Sequence, residues 1–407
     1  MQGFKDIMSE KKLKIAQIHW GFPPLIGGVE THLTIMLPEM VKRGHSVVLL
    51  TGTADGVKTR YQYKGVDIYR SPLFDLNWLF KRGLDGLEEE IEQLFNKFFD
   101  EFKPDIVHTH NMHYFSEVHI KLFEMICQKK GVPLLLTAHN VWDDMLFLKL
   151  TKNIKWTHII AVSHYIKKEL TGVGFDDKKI TTIHHGIDTK VFRYGVDTKQ
   201  ALKNHPQLKG RKIVFHPARM GLPKGCDVSI KAFNLVKNRF PDALLVLAGT
   251  KNIIDWGGTQ QKDIAYFVDL VKAFNLKKNV YVNFFKLEEM PALYNLAHLT
   301  VYPSTASEPF GLTMLESLGC GKPIIVTQMG GMPEIIQNGI TGYVIPVKDF
   351  EMLADRIIHL LEDDRVRRRL GRTGRQMVQI HYTKEIMTAS ILSLYKNLLG
   401  VFDTNTN

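Results

Sequence analysis

A chain of 407 residues, 44% apolar and 23% charged, is globular in composition and long enough for two or three domains of about 150 residues each. Its formal charge of +11 is compatible with nucleic acid, an anionic membrane or a phosphorylated ligand and selects none of them. Three widely spaced cysteines, Cys127, Cys226 and Cys320, make neither a disulfide framework nor a zinc spacing, which suggests a reducing, cytoplasmic compartment. Residues 1–14 are polar, so no signal peptide is expected, and no apolar run reaches the ~18 residues of a membrane span.

Short β-branched runs alternate with longer helical stretches, the pattern of an α/β chain with parallel sheets. The first strand, over 14–19, leads into Pro23-Pro24-Leu25-Ile26-Gly27-Gly28-Val29-Glu30, where Gly27 and Gly28 allow close backbone approach to a ligand or simply open a helix over 30–43. Strands follow over 46–51, 105–108, 134–137, 158–161 and 180–183, with helices over 87–102 and 165–171. The helix over 87–102 carries Leu, Ile and Phe on one face. Its Glu88, Glu89, Glu90 and Glu92 would repel anionic lipid, so a core helix is favoured over peripheral membrane contact. Thr137-Ala138-His139-Asn140 ends a buried strand and turns His139 toward the space beyond it, where an imidazole can bond a hydroxyl or a developing charge. His108 and His110 end another strand and either line the same space or serve structure, while His184 and His185 are expected to be structural.

After Gly186-Ile187-Asp188 a second series begins, with strands over 212–216, 244–248, 280–283, 299–302 and 323–326 and helices over 226–238, 262–274 and 291–295. Two doubly wound, Rossmann-like domains would face one another across a central cleft at the C-terminal ends of both sheets. The expected boundaries are 12–187, joined by a returning helix over 383–400, and 188–382. The absence of a GxGxxG fingerprint disfavours a dinucleotide oxidoreductase, and without HExxH no metal site is expected. Six arginines within 365–375 read as a solvated helix face and turn, and no aromatic-interleaved basic stretch supports nucleic acid. The tail 403–407 is expected to be disordered.

Two loops of this half carry the chemistry. The strand over 212–216 is followed by Pro217-Ala218-Arg219-Met220-Gly221-Leu222-Pro223-Lys224-Gly225, which sets Arg219 and Lys224 just before a helix, where fixed cations can stabilise a departing diphosphate. Further on, Ser307-Glu308-Pro309-Phe310-Gly311-Leu312-Thr313-Met314-Leu315-Glu316 places two carboxylates, with seven residues between them, across a loop that enters a helix. Eight helical residues rise about 12 Å, an upper limit here. The first N–H groups of that helix, from Phe310, Gly311, Leu312 and Thr313, form an anion site. A helix-start charge for Glu308 and a surface position for Glu316 are the structural alternatives.

This Glu-x7-Glu segment resembles the signature of the retaining glycosyltransferases of family 4, which have the GT-B fold. The resemblance runs from Ile15 to about Leu399 and takes in Gly27-Gly28-Val29-Glu30, Ala161-Val162-Ser163-His164, His185-Gly186-Ile187-Asp188 and Met329-Gly330-Gly331-Met332-Pro333-Glu334. It implies that Arg219 and Lys224 clamp a donor diphosphate and that Gly27 and Gly28 border it. Glu308 would meet the donor sugar, Glu316 the ribose, and His139 the reacting sugar. It also implies an N-terminal acceptor domain, a C-terminal donor domain, and no cofactor or metal. The partners would be a nucleotide sugar, UDP favoured over GDP or ADP, and a hydroxyl acceptor such as a sugar, a lipid-linked sugar or a small molecule. A phosphorylase or epimerase of the same fold, or a protein that binds a nucleotide sugar without turnover, are the alternatives. The chain departs from the family at Phe284, where many relatives have Gly, and in a longer segment over 249–261.

Overall fold

The computed structural model describes residues 11–141, 152–249 and 259–401. Residues 1–10 of the polar start, most of the 249–261 segment and the 403–407 tail lie outside them. The first lobe contains β1 (Lys14–Ile18), β2 (Ser46–Gly52), β3 (Arg60–Tyr63), β4 (Val66–Ser71), β5 (Ile106–His110), β6 (Leu134–Ala138), β7 (His158–Ala161) and β8 (Ile180–Thr182). They form one sheet in the order β3-β4-β2-β1-β5-β6-β7-β8, parallel throughout except for the β3-β4 pair. The second lobe contains β9 (Ile213–His216), β10 (Leu244–Gly249), β11 (Val280–Phe284), β12 (Leu299–Tyr302), β13 (Ile324–Thr327) and β14 (Gly342–Ile345). Its order is β11-β10-β9-β12-β13-β14, parallel throughout.

Strands covered on both faces are buried along their whole length, mostly by apolar residues and otherwise by polar groups that find partners. Every residue of β2 after Ser46 is buried, and β5, β6, β9 and β10 are buried end to end. In each sheet the order reverses beside the first strand, between β1 and β5 and between β9 and β12. The loops diverge at such a switch point and leave a crevice for a ligand. Arg219 and Lys224 follow β9, and Glu308 follows β12. His19 follows β1, and His110 ends β5.

Three strands lie beyond the expected set: β3, β4 and β14. β4 reads Val-Asp-Ile-Tyr-Arg-Ser, and its Arg70 is buried rather than solvated. The guanidinium donates to Gly52 O at 2.7 Å and Pro23 O at 2.5 Å, so a charged residue sits where an apolar one would announce the strand. The helix Glu88–Phe102 is a core helix: Ile91, Phe95, Phe98 and Phe99 are buried, while Glu88, Glu89 and Glu90 face solvent. The arginine run lies in a single helix, Asp364–His381, without the expected turn, and Asp363 caps its first N–H groups.

The helix Lys384–Leu398 returns to the first lobe, where Met387, Ile391, Leu392 and Tyr395 join the core beneath β1 and β2. The two crossings between lobes touch. Ile187 N–H donates to Tyr382 O, and Lys384 N–H to Ile187 O, each at 2.9 Å. A Cβ on Gly186 would lie 2.2 Å from Thr383 O, so only glycine allows this approach. Among the described residues no helix is long and apolar enough to cross a membrane.

Candidate active site

On the C-terminal wall, the loops after β9 and β12 are stitched together. Ser304 Oγ and Thr305 N–H both donate to Pro223 O, and Thr305 Oγ1 donates to Leu222 O. This brings Lys224 onto Glu308, Nζ to Oε2 at 2.7 Å, and the Tyr302 hydroxyl donates to the same oxygen. The Lys224 and Glu308 side chains are 24% and 13% exposed, so the pair is largely shielded. Burial pushes both groups toward neutrality, yet each partner's charge outweighs it. Lys224 is raised above its ordinary value and Glu308 is lowered. Lys224 is therefore already engaged, and Arg219, exposed and within Coulombic reach of Glu308, is the outward cation of the loop.

Gly311 takes φ +86°, a backbone turn that favours glycine, and opens the helix Leu312–Gly319. The N–H groups of Leu312 and Thr313 find no acceptor among the described residues. Thr313 Oγ1 bonds Pro217 O at 3.4 Å and ties the helix start to the Arg219 loop. One face further along, Glu316 accepts from the buried Tyr294 hydroxyl at 2.7 Å. Burial raises its pKa to about 7, with the Tyr294 hydrogen bond opposing. Phe284 lays its ring against Gly249 and stays 42% exposed at the cleft rim. The ring of Phe310 packs across the cleft on His185, centroids 5.1 Å apart.

The N-terminal wall is built of histidines. His139 directly follows β6, but both its ring nitrogens are engaged: Nε2 with His110 Nδ1 at 2.9 Å and Nδ1 with His185 Nε2 at 3.3 Å. It is 7% exposed, so the expectation of an imidazole nitrogen aimed at a ligand is not met. His110 Nε2 meets Gln17 Oε1 at 2.7 Å, and Gln17 Nε2 donates to Tyr395 Oη at 3.0 Å. The Tyr395 hydroxyl meets His108 Nδ1 at 2.5 Å, and His108 Nε2 meets Thr137 Oγ1 at 2.6 Å. With the Gln17 amide assigned this way, one polarity satisfies the whole chain, from His185 Nε2–H through His139, His110 and Gln17 to Tyr395 and His108. Burial lowers His32 and His108 to about 3 and holds His110, His139 and His185 well below their ordinary value. His108, His110 and His185 thus share one structural network, on the wall that also carries His139.

Gly27 caps the helix Gly28–Lys42, the structural alternative for this loop. A Cβ on Gly27 would meet Glu30 Oε2 at 2.3 Å, so that space belongs to the Glu30 carboxylate. Gly28 opens on empty space. Glu30 pairs with His19 Nε2 at 3.1 Å. Two groups among the described residues bring possible metal-ligating atoms within 4.8 Å of one another: His32, His110 and His139, and His164, His184 and Glu334. In the first, two of the nitrogens already bond each other, and the assigned polarity satisfies them. Tyr294, Tyr302, Gln17 and Tyr395 were not singled out from the sequence. Only Tyr302 carried a signal, as the last residue of a strand that enters the site.

Two Rossmann-like lobes, with cations and open amides at one switch point and a histidine wall at the other, define a GT-B glycosyltransferase. The family models agree: Glycosyltransferase Family 4 matches residues 26–191, and Glycosyl transferases group 1 matches residues 197–377. The chain belongs to the family 4-like GT-B glycosyltransferases. It is 24% identical to the uncharacterized glycosyltransferase MJ1607 of Methanocaldococcus jannaschii, over 94% of this chain and 98% of that protein. It is 27% identical to spore coat protein SA of Bacillus subtilis over 58% of this chain, and it spans 64% of that protein's length. The fold matches Anabaena Alr3699/HepE, solved with UDP and glucose, at a TM-score of 0.75 and 18% identity, covering 94% of this chain and 99% of that one.

Proposed function

We propose that this chain is a retaining hexosyltransferase that moves a hexosyl group from a UDP-sugar to an acceptor hydroxyl, without a metal, in the cytoplasm. The observation that carries this reading is the convergence of Arg219, the Lys224–Glu308 pair and the open amides of Leu312 and Thr313 at one switch point. In this reading the diphosphate sits on the amides, with Arg219 gripping its oxygens through a planar fork and Lys224 as a point charge. Glu308 Oε2 is occupied by Lys224 and Tyr302, so Oε1, which has no partner among the described residues, accepts from a sugar hydroxyl. Glu316 accepts from the ribose hydroxyls. The acceptor attacks the anomeric carbon from the face the diphosphate leaves, and its proton passes to the departing phosphate oxygen. The protein contributes position and charge.

His139 then supports the sugar pocket with its ring while His110 and His185 hold its nitrogens. The N-terminal lobe, with the returning helix, takes the acceptor and the C-terminal lobe takes the donor. The UDP and glucose held by the Anabaena protein support the choice of base. A donor screen tests the reading: UDP-, GDP- and ADP-sugars are compared with EDTA present, and the anomer of the product is determined. The expected result is UDP-dependent transfer, insensitive to EDTA, with the configuration kept. A GDP preference, loss of activity in EDTA, or inversion would each overturn the corresponding part.

A further inference from the structure

The segment after β13, Met329-Gly330-Gly331-Met332-Pro333-Glu334, runs into a short helix, Met332–Ile335, of the C-terminal lobe, and its Glu334 side chain reaches the N-terminal one. Glu334 spans the cleft and lays both carboxylate oxygens on the start of the helix His164–Gly172: Oε2 accepts from His164 N–H at 2.8 Å, and Oε1 from Tyr165 N–H at 2.6 Å. These are N–H groups that a helix leaves without an internal acceptor, and the positive end of the helix favours a carboxylate there. His184 Nε2 approaches the same carboxylate at 3.4 Å. Ser163 caps that helix and also donates from Oγ to Pro309 O at 2.6 Å.

The other end of the loop encloses Glu308. Gly331 N–H donates to Glu308 O at 2.8 Å. A Cβ on Gly330 would lie 2.3 Å from Glu308 O, and one on Gly331 would lie 2.4 Å from Pro309 O and 3.1 Å from Ser163 Cβ. One helix start in the N-terminal lobe therefore holds both the backbone beside Glu308 and the loop wrapped around it.

We propose that Glu334 is a positioning residue: it latches the two lobes together and, through the Gly330–Gly331 backbone, sets the place of Glu308 when the cleft is closed. The donor role of Glu308 on which the last step rests is the one given above. When the latch is lost, the C-terminal lobe can still bind a nucleotide, since Arg219, Lys224 and Glu316 are untouched. The lobes then close less often and the sugar is held less well for attack.

Glu334→Gln keeps the shape and one acceptor but removes the charge. In the ligand-free variant, small-angle scattering should show a larger radius of gyration than in the wild type. Turnover should fall about ten- to a hundredfold, with UDP affinity by calorimetry unchanged within about twofold. An unchanged radius with unchanged turnover overturns the proposal. So does a loss of UDP affinity that matches the loss of turnover, which would put Glu334 in the donor site itself. If the Gln variant melts early, Glu334→Asp, which keeps the charge one methylene short, is read by the same measurements. Glu308→Gln separates the two readings. Retained turnover there removes the donor role of Glu308, while opening of the lobes in Glu334→Gln still supports the latch.

Discussion

The N-terminal wall of the cleft carries His32, His108, His110, His139 and His185, all held neutral by burial, whereas the C-terminal wall carries Arg219, Lys224, Glu308 and Glu316. His108, His110, His139 and His185 tolerate burial because hydrogen bonds of one polarity run from His185 to Thr137, whereas the ring nitrogens of His32 find no partner among the described residues. This histidine network is polar and carries no charge of its own. The facing wall keeps the charges of Lys224 and Glu308 because they are paired and that of Arg219 because it is solvated, while burial favours the neutral form of Glu316. In the proposed reaction the two walls would have separate tasks: the C-terminal one would meet the leaving anion, and the N-terminal one would shape the sugar and acceptor pocket.

The strongest test of that division is Arg219→Ala. Loss of one donor to a developing oxyanion lowers turnover by about 10²–10³. Because Arg219 is exposed, the melting temperature should hold. Near-normal turnover would remove it from the mechanism. Lys224→Ala is expected to act on stability as well. It strands the shielded Glu308 carboxylate, and after discounting for partial exposure the loss should be about 2–3 kcal/mol by chemical denaturation.

Glu316 gives a smaller, pH-dependent effect. Its folded-state pKa is about 7, above the ordinary glutamate value of about 4.5, so the folded protein keeps a proton that the unfolded chain releases. Stability from this group is present at low pH and declines as pH rises from about 4.5 to 7, by about 3 kcal/mol at most. The lowered histidines act in the opposite direction, because the unfolded chain takes up protons as pH falls below about 6.5. Comparing Glu316→Gln with the wild type across this range isolates the carboxyl, and the Gln variant should be relatively more stable at pH 8. An identical pH dependence in both would mean that Glu316 is not held neutral by its surroundings.

Much of this architecture was legible in the sequence because most parallel strands are short apolar runs and chemistry collects at their C-terminal ends. Arg219, Lys224 and Glu308 could be found that way, each in a loop after a strand of the second series. β4 escaped because Arg70 is buried in it, and β14 was not anticipated either. The engagement of His139 escaped for a different reason. His110 lies 29 residues away, and the His108–Tyr395 bond that continues the network spans 287 residues. No local pattern reports such a partner. Glu334 stood in a quoted motif, yet its reach into the opposite lobe depends on how two sheets dock, which neither sheet's sequence encodes alone.

The most direct test is a crystal structure with UDP bound. The diphosphate should lie on Arg219, Lys224 and the N–H groups of Leu312 and Thr313, with the ribose hydroxyls on Glu316. Density for the nucleotide on the histidine wall, or a diphosphate out of reach of Arg219 and those amides, would contradict the account.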